Sequence, residues 1–515
     1  MIGFEAGRNN TASENIFIGY RAGFTNTTGQ DNVFIGEEAG YFNTATDNTF
    51  LGWNAGRNNT VGFDNTFIGT QAGLSNTEAD ENTFVGFQAG RFNTTGDKNT
   101  FVGFWAGYSN EIGEGNTIVG GAINSTYEAP YNNLSSFQGA GYDNVGYYNT
   151  YVGADAGSDA SDANANTFVG TAAGNLNEFA SENTFVGAFA GVNNNRTNRT
   201  DDGLRNNYLG FKAGFTNFSG SDNIAVGHEA DFATTSGNIL TENNRNVFVG
   251  NSTSINRAND AVLLGFNGAI ENLAHRSLGI GSEVNIFGEN SIGIGYNADI
   301  AAAADHSVGI GHQVNMDGIQ STALGAAAIV SGTNSTAIGY QSSVEANNEI
   351  YIGNSTITSI GGTVNWTATS DARYKIEVQE DVVGTAFIKR LRPVTYHYDA
   401  NALHEQKGFV SDELASALSQ KSSIRYSGFI AQEVEAAAKS VDYDFSGVDA
   451  PQNEEDIYGL RYAEFVVPLI KTVQELDAAI EKRSLEIEEM KAKLEKLKEL
   501  EARLETLENQ GSGAF

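Results

Sequence analysis

The chain is 515 residues long, with 63 acidic against 30 basic side chains, a formal net charge of −33 and no cysteine. That acid excess argues against nucleic-acid and anionic-membrane partners, which want clustered Lys and Arg, and the missing Cys excludes a disulfide framework and thiol chemistry. No run of about 18 apolar residues occurs, so membrane insertion is not expected. Length alone suggests a few domains, and composition divides the chain at Ser370. Only Lys98 and Lys212 precede that point and eleven lysines follow it, whereas 53 of the 60 glycines lie before it.

Self-similarity begins at the first residues. The opening "MIGFEAGRNNT" is the middle of a unit and lacks the charged stretch and apolar run of a secretory leader, so further chain upstream is expected. The unit reads N-T-[FI]-[IV]-G-x-x-A-G-x-x-N, as in "NTFIGTQAG" from Asn65 and "NTFVGFQAG" from Asn82. Its glycine recurs at 3, 19, 36, 52, 69, 86, 103 and 120, then at 153, 170, 187, 210, 227, 250 and 265. The gap of 33 before Gly153 reads as a decayed copy in which Ser136 replaces the glycine. The steps of 23 into Gly210 and Gly250 each hold about six extra residues.

In a strand, neighbouring side chains point to opposite faces. Phe67 and Ile68, Phe84 and Val85, and Phe101 and Val102 are adjacent apolar pairs, so both faces of each strand must be buried. A thin coil has one interior, and its second apolar face is expected to meet another chain. Ala-Gly suits a tight corner at positive φ, and Asn-Thr suits turn and ladder positions. Rival readings fare worse. A hexapeptide acyltransferase helix needs three matches per coil where one is found, and no His precedes His228. Thr columns could bind ice, but only the Asn-Thr repetition favours that. The G-G-x-G-x-D of a calcium solenoid is missing, and neither a metal nor a cofactor is expected.

From Ser277 the period shortens. "SLGIGSEVNIFGEN", "SVGIGHQVNMDGIQ", "STALGAAAIVSGTN" and "STAIGYQSSVEANN" are 14 residues each, with one 16-residue copy among them. Residues 277–353 thereby resemble the head repeats of trimeric autotransporter adhesins of the YadA type. The resemblance implies a trimeric, left-handed parallel β-roll with one repeat per coil. Counting the decayed copy, 22 coils at about 4.8 Å each would make a shaft of about 105 Å.

Past the repeats, "SDARYKIEV" (370–378), "RLRPVTYHYD" (390–399), "SGFIAQEVE" (427–435) and "YGLRYAEFVVPLIKTVQEL" (458–476) follow in order. Together they resemble the intramolecular chaperone auto-processing domain that ends bacteriophage tail fibres, endosialidase tailspikes and neck appendages, and that occurs in myelin regulatory factor proteins. The resemblance spans roughly 370–510. It implies a domain that trimerises, templates the β-fibre before it, and then cuts itself off. Ser370 would be the nucleophile, Lys375 the base, and the bond joining Thr369 to Ser370 the one cut. A Ser hydroxyl needs a base to take its proton, and a lysine serves only where burial favours its neutral form. On a straight strand residues five apart face opposite sides, so a turn must lie between the two. Asp371 and Arg373 belong to the motif, with capping or an ion pair as their expected role.

Trp366 is expected to pack at the junction, His397 and His404 to be structural, and Glu433 to lie on a solvated helix face. From about Val473 to Glu508, Leu476, Ile480, Ile487, Met490, Leu494, Leu497, Leu500, Leu504 and Leu507 step by three, four or seven, a coiled-coil seam. The successive threes around Leu497 read as a stammer.

The predicted architecture is mainly β: a trimeric left-handed parallel β-roll or β-solenoid shaft, a small α+β chaperone domain and a C-terminal coiled-coil helix. Its boundaries are 1–265 for the 16/17-residue solenoid, 266–353 for the YadA-like roll, 354–369 for a neck, 370–472 for the chaperone, 473–510 for the coiled coil and 511–515 for a flexible tail. The expected function is adhesion, by a homotrimeric extracellular fibre of a phage, an injection machine or a bacterial surface. Its partner would be a cell-surface receptor or glycan, met where the coil is irregular: Tyr127, Tyr131, Phe137 and Tyr142, or Arg196, Arg199 and Arg205. Alternatives are a purely structural shaft with an uncleaved cap, or the stem of a depolymerising tailspike whose catalytic part lies elsewhere; no paired-carboxylate glycosidase site is visible.

Overall fold

The computed structural model describes residues 1–121, 128–129, 132–133, 139–195, 199–232, 243–271, 273–407, 414–451 and 456–511. The chain divides into two units, Met1–Gly353 and Asn354–Phe515.

Every turn of the first unit lays a short strand beneath the next, parallel and in register: Thr66 faces Thr83, Phe67 faces Phe84 and Ile68 faces Val85. Among the described residues, twenty such strands form one sheet, in about 19 turns. In every triplet but the last, Ile350–Ile352, the middle residue points inward and is buried, while its two neighbours are half-buried or exposed. Stacking turns at the strand spacing of about 4.8 Å puts identical rings above one another. Phe50, Phe67, Phe84 and Phe101 accordingly form a column with centroids 4.7–4.8 Å apart and planes within 8° of parallel. The outward aliphatic of each triplet has no such cover: Leu51, Leu209 and Leu324 are exposed, and Ile68, Val85 and Val102 half-buried. The second apolar face predicted from the sequence is therefore a continuous outer column of the single chain.

Two devices close each turn. Gly86 has φ +142°, and a Cβ there would lie 2.2 Å from the carbonyl oxygen of Gly103, so only glycine lets adjacent turns approach this closely. Gln88 and Gly90 then take left-handed φ values of 56° and 57° to turn the corner. The corner glycine is the one the sequence predicts; the left-handed non-glycine residue two places earlier carries no sequence signal. Buried Asn side chains seal the opposite corner, as where Asn48 Oδ1 accepts the N–H of Asn65 at 3.0 Å and its Nδ2 donates to the Gly62 carbonyl at 2.9 Å.

Ser136, at the centre of the predicted decayed copy, lies outside the described residues. Thr117–Val119 pairs directly with Thr150–Val152. Ala140 and Tyr142 supply the next corner, accepting from Gly107 N at 3.1 Å and Ser109 N at 2.7 Å. Val119 and Val152 thus stand on adjacent turns, and the unit has about 19 turns where 22 were expected. The aligned residues carried the right glycine and asparagine pattern, but Ala140-Gly141 can serve only one corner.

The interior changes hands before the period shortens. Where the inward position shrinks to Ala225, Phe232 enters the core from a second strand, Asp231–Phe232, which starts an eight-stranded sheet. Phe248 and Leu263 still fill the inward position of the next two turns, and from Gly279 to Ala337 that residue is small, as at Gly279, Gly293, Ala323 and Ala337. Ile255, Ile270, Ile286, Ile300, Met316 and Val330 from the second strand fill the space.

The second unit is a small α/β region followed by a long helix. Its helices are α1 (Thr385–Ile388), α2 (Ala400–Gln406), α3 (Ala415–Ser423), α4 (Ala431–Lys439) and α5 (Val466–Gly511). Val394–Tyr396 pairs antiparallel with Tyr426–Gly428, and Val448–Asp449 with Gly459–Leu460. Phe387, Val434, Ala437, Ala438, Phe445 and Phe465 form the core. Helix α5 starts earlier than the periodicity predicts. Pro468 falls within its first turn, where the missing N–H costs nothing, and Glu475 further along accepts the N–H of Thr385 from α1 at 2.8 Å. Among the described residues no helix is long and apolar enough to cross a membrane.

Candidate functional site

The site predicted at Ser370 lies on an extended, solvent-exposed stretch interrupted by one 3₁₀ turn, Ala372–Tyr374. Asp371 starts that turn: its carboxylate accepts the N–H of Arg373 at 2.9 Å, an N-cap that fixes the first bend. Arg373 Nη2 closes on the same carboxylate at 2.6 Å and, with that backbone bond, holds it below the usual carboxylate range. The turn reverses the i, i+5 geometry of a straight strand. Lys375 Nζ reaches Ser370 Oγ and donates to it at 2.8 Å. Ser370, Lys375 and the adjacent Thr369 are all exposed in the single chain.

Trp366, expected to pack at the junction, is instead 87 % exposed. An indole there meets no wall supplied by its own chain. His404 is buried against Ser355 Oγ at 3.0 Å, and His397 Nδ1 lies 3.1 Å from the Ser422 carbonyl. Glu433 pairs with Arg392 of the same chain, whose Nε lies 3.0 Å from Oε2.

Of the expected receptor contacts, Tyr127, Tyr131, Phe137 and Arg196 fall outside the described residues. Tyr142 is half-buried, stacked on Tyr108 at 4.8 Å and tilted against Trp105 at 5.9 Å. Arg199 lies 3.8 Å from Asp202. Both guanidinium arms of Arg205 are taken by Asp222, at 2.6 and 2.9 Å.

Sequence reasoning passed over an aromatic cleft of about 680 Å³ in the second unit, lined by Tyr396, Tyr398, Phe429, Ile430, Tyr458 and Tyr462 among others. A hydrogen bond to Tyr398, assisted by burial, pushes the Tyr396 hydroxyl up to about 12. The alternating "TYHY" of 395–398 was the available signal: period two puts both tyrosines on one face.

Comparison with known families agrees with this layout. Residues 370–443 match the family described as the chaperone of endosialidase, beginning at Ser370 itself. Residues 317–342 match two copies of the YadA head domain repeat. No curated protein matches the chain. A solenoid carrying YadA-type head repeats and ending in an endosialidase-type chaperone is consistent with a tail fibre or adhesin, and both matched domains imply a homotrimer.

Proposed function

We propose that this chain forms an extracellular, homotrimeric adhesive fibre whose C-terminal chaperone aligns three solenoids and then cuts itself away between Thr369 and Ser370. Neighbouring turns of the shaft are nearly identical, so a one-turn slip between chains costs little locally. A C-terminal seed that fixes the register before the coil assembles removes that error. Its removal afterwards leaves the fibre kinetically trapped.

The observation carrying the cleavage reading is the 2.8 Å contact of Lys375 Nζ with Ser370 Oγ at the first residue of the chaperone match. With a neutral lysine the roles reverse and Nζ takes the hydroxyl proton. Ser370 Oγ attacks the Thr369 carbonyl carbon, the C–N bond breaks, and the proton passes to the departing Ser370 nitrogen. This leaves an ester between Thr369 and Ser370 Oγ. Water then hydrolyses it to a Thr369 carboxylate and a free Ser370. Arg373 and Asp371 hold the turn that positions the pair.

The exposure of the pair in one chain favours a second reading, a shaft with an uncleaved cap. A denaturing gel separates the two. Self-cleavage releases a 146-residue piece, 370 to 515, and Ser370→Ala abolishes it. A full-length band from the unmutated protein would leave the fibre and remove the protease.

A further inference from the structure

Two apolar elements of the second unit are unfinished in a single chain. Around the Ser370–Lys375 pair, Val364, Trp366, Tyr374, Ile376 and Val378 are each between 76 and 87 % exposed. Leaving these side chains in water forfeits about 25 cal/mol for every Å² that burial would remove. The segment is held at both ends. Ser355 meets His404, Lys421 Nζ donates to the Ile357 carbonyl, and Thr385 is bound to Glu475 of α5. From Thr358 to Asp381 every residue except the half-buried Asp371 is exposed.

The second element is the aromatic cleft. Its volume lies in the range of sites that enclose a ligand, and Tyr398, Ile430 and Tyr462 on its wall are 42, 40 and 49 % exposed. Its hydroxyls are engaged along the rim: Tyr396 donates to Tyr398 at 3.4 Å, Tyr458 to Glu435 at 3.2 Å, and Tyr462 accepts the N–H of Phe429 at 3.0 Å. What remains open is ring face, which suits an indole or a branched aliphatic chain.

Segment and cleft belong to the same unit, yet within one chain they do not meet. The apolar seam of α5 and the outer aliphatic column of the shaft are left open in the same way. Identical chains in a homotrimer would close all four. We propose that the 364–378 segment of one copy seats Trp366, Ile376 and Val378 in the Tyr396–Tyr462 cleft of a second copy, enclosing each Ser370–Lys375 pair with a neighbour's side chains. The inference rests on the trimer reading above, and it explains how an exposed lysine becomes desolvated enough to act as a base. The docking itself does not require the cut.

Because the chain has no cysteine, an introduced pair is the only source of a disulfide. The full chain carrying Ser370→Ala, to keep it intact, is combined with Ile376→Cys and Tyr398→Cys, and separately with Trp366→Cys and Tyr462→Cys. After mild oxidation, a non-reducing denaturing gel should show most of the protein as two- and three-chain species, absent or minor with either cysteine alone. Intrachain bonds, or no cross-link in a sample that sediments as a trimer, overturn the proposal. A monomeric sample overturns it as well, since no second cleft is then present. As an independent measurement, Trp53→Phe with Trp105→Phe leaves Trp366 as the sole indole of three. Its emission should move to shorter wavelength and resist quenching in the trimer. A solvent-like spectrum contradicts docking even if the cysteine variants misfold. Wild-type protein that cross-links in this way but never cleaves removes the protease reading alone.

Discussion

Asn65 Oδ1 accepts the backbone N–H of Asn82, one turn further along, at 3.0 Å, while its Nδ2 donates to the Ala79 carbonyl at 2.8 Å. Both amides are fully buried. The side chain thus satisfies two backbone groups that the strand ladder cannot reach, and the same bond repeats turn after turn.

Asn65→Ala strands the Asn82 N–H in a dry interior, while the Ala79 carbonyl keeps its second donor, Asn76 Nδ2, at 3.0 Å. The orphan costs about 1–3 kcal/mol, and denaturant unfolding should show a loss of that size per chain. Glu78→Gln, at an exposed corner, should stay within about 0.5 kcal/mol. Equal effects would mean that the Asn column is ornamental.

Gly86→Ala should be worse than its one methyl group suggests. The new Cβ would sit 2.2 Å from the Gly103 carbonyl oxygen at a φ of +142°, so two turns must part. Loss of soluble trimer, or a fall in thermal midpoint well beyond that of Ala89→Gly, is the expected result.

Asp159 gives the shaft a pH dependence. Burial, then the carboxylates of Asp143, Glu178 and Asp155, push its pKa up to about 7, against about 3.9 unfolded. Between those values the folded chain holds the extra proton, so stability is highest near pH 4 and falls as pH rises towards 7. Asp159→Asn should reduce that slope, Asp231 with its own burial-raised carboxyl keeping the rest, and should raise stability at pH 8 by roughly 2–4 kcal/mol per chain, with little change at pH 4. An unchanged slope contradicts the assignment.

On the proposed cleavage reading, Asp371 acts by positioning the Ser370–Lys375 pair. Asp371→Ala removes the cap of the 3₁₀ turn, worth about 1 kcal/mol, and should slow release of the 146-residue piece roughly fivefold. Asp371→Asn can still cap and should restore most of the rate. Lys375→Met should cost about 10²-fold or more, as expected for loss of a general base, with the Asn and Ala variants of Asp371 indistinguishable in that background.

Helix α5 tests the seed. Ile487 and Leu494 are 48 and 56 % exposed on one chain, and Ile487→Asp with Leu494→Asp places charge on the predicted seam. Sedimentation should show loss of the trimer. A variant that remains fully trimeric would place the association elsewhere.

Much of this was legible in advance because the repeat is strict. Adjacent Phe67 and Ile68 announced two apolar faces, and Ala72-Gly73 announced a corner. The Ser-to-Lys spacing required a turn, and one is present at 372–374. What escaped notice depends on contacts between turns. "NNLSSFQGAGYDN" reads as one more repeat, and only the pairing of Thr150 with Thr117 shows that their two strands are neighbours. The early entry of Phe232 into the core was hidden for a similar reason: the vacancy it fills is created by Ala225, on a different strand. Trp366 was misplaced because an indole near a boundary is ordinarily covered, and here its own chain offers no cover.

Gly121 and Gly139 leave and re-enter the coil beside Phe104 and Trp105, whose corner goes on undisturbed into Ala140. A rod built this way keeps its pitch whatever is spliced into its bends. The length of chain between two successive rungs can therefore drift among descendants without renegotiating the scaffold.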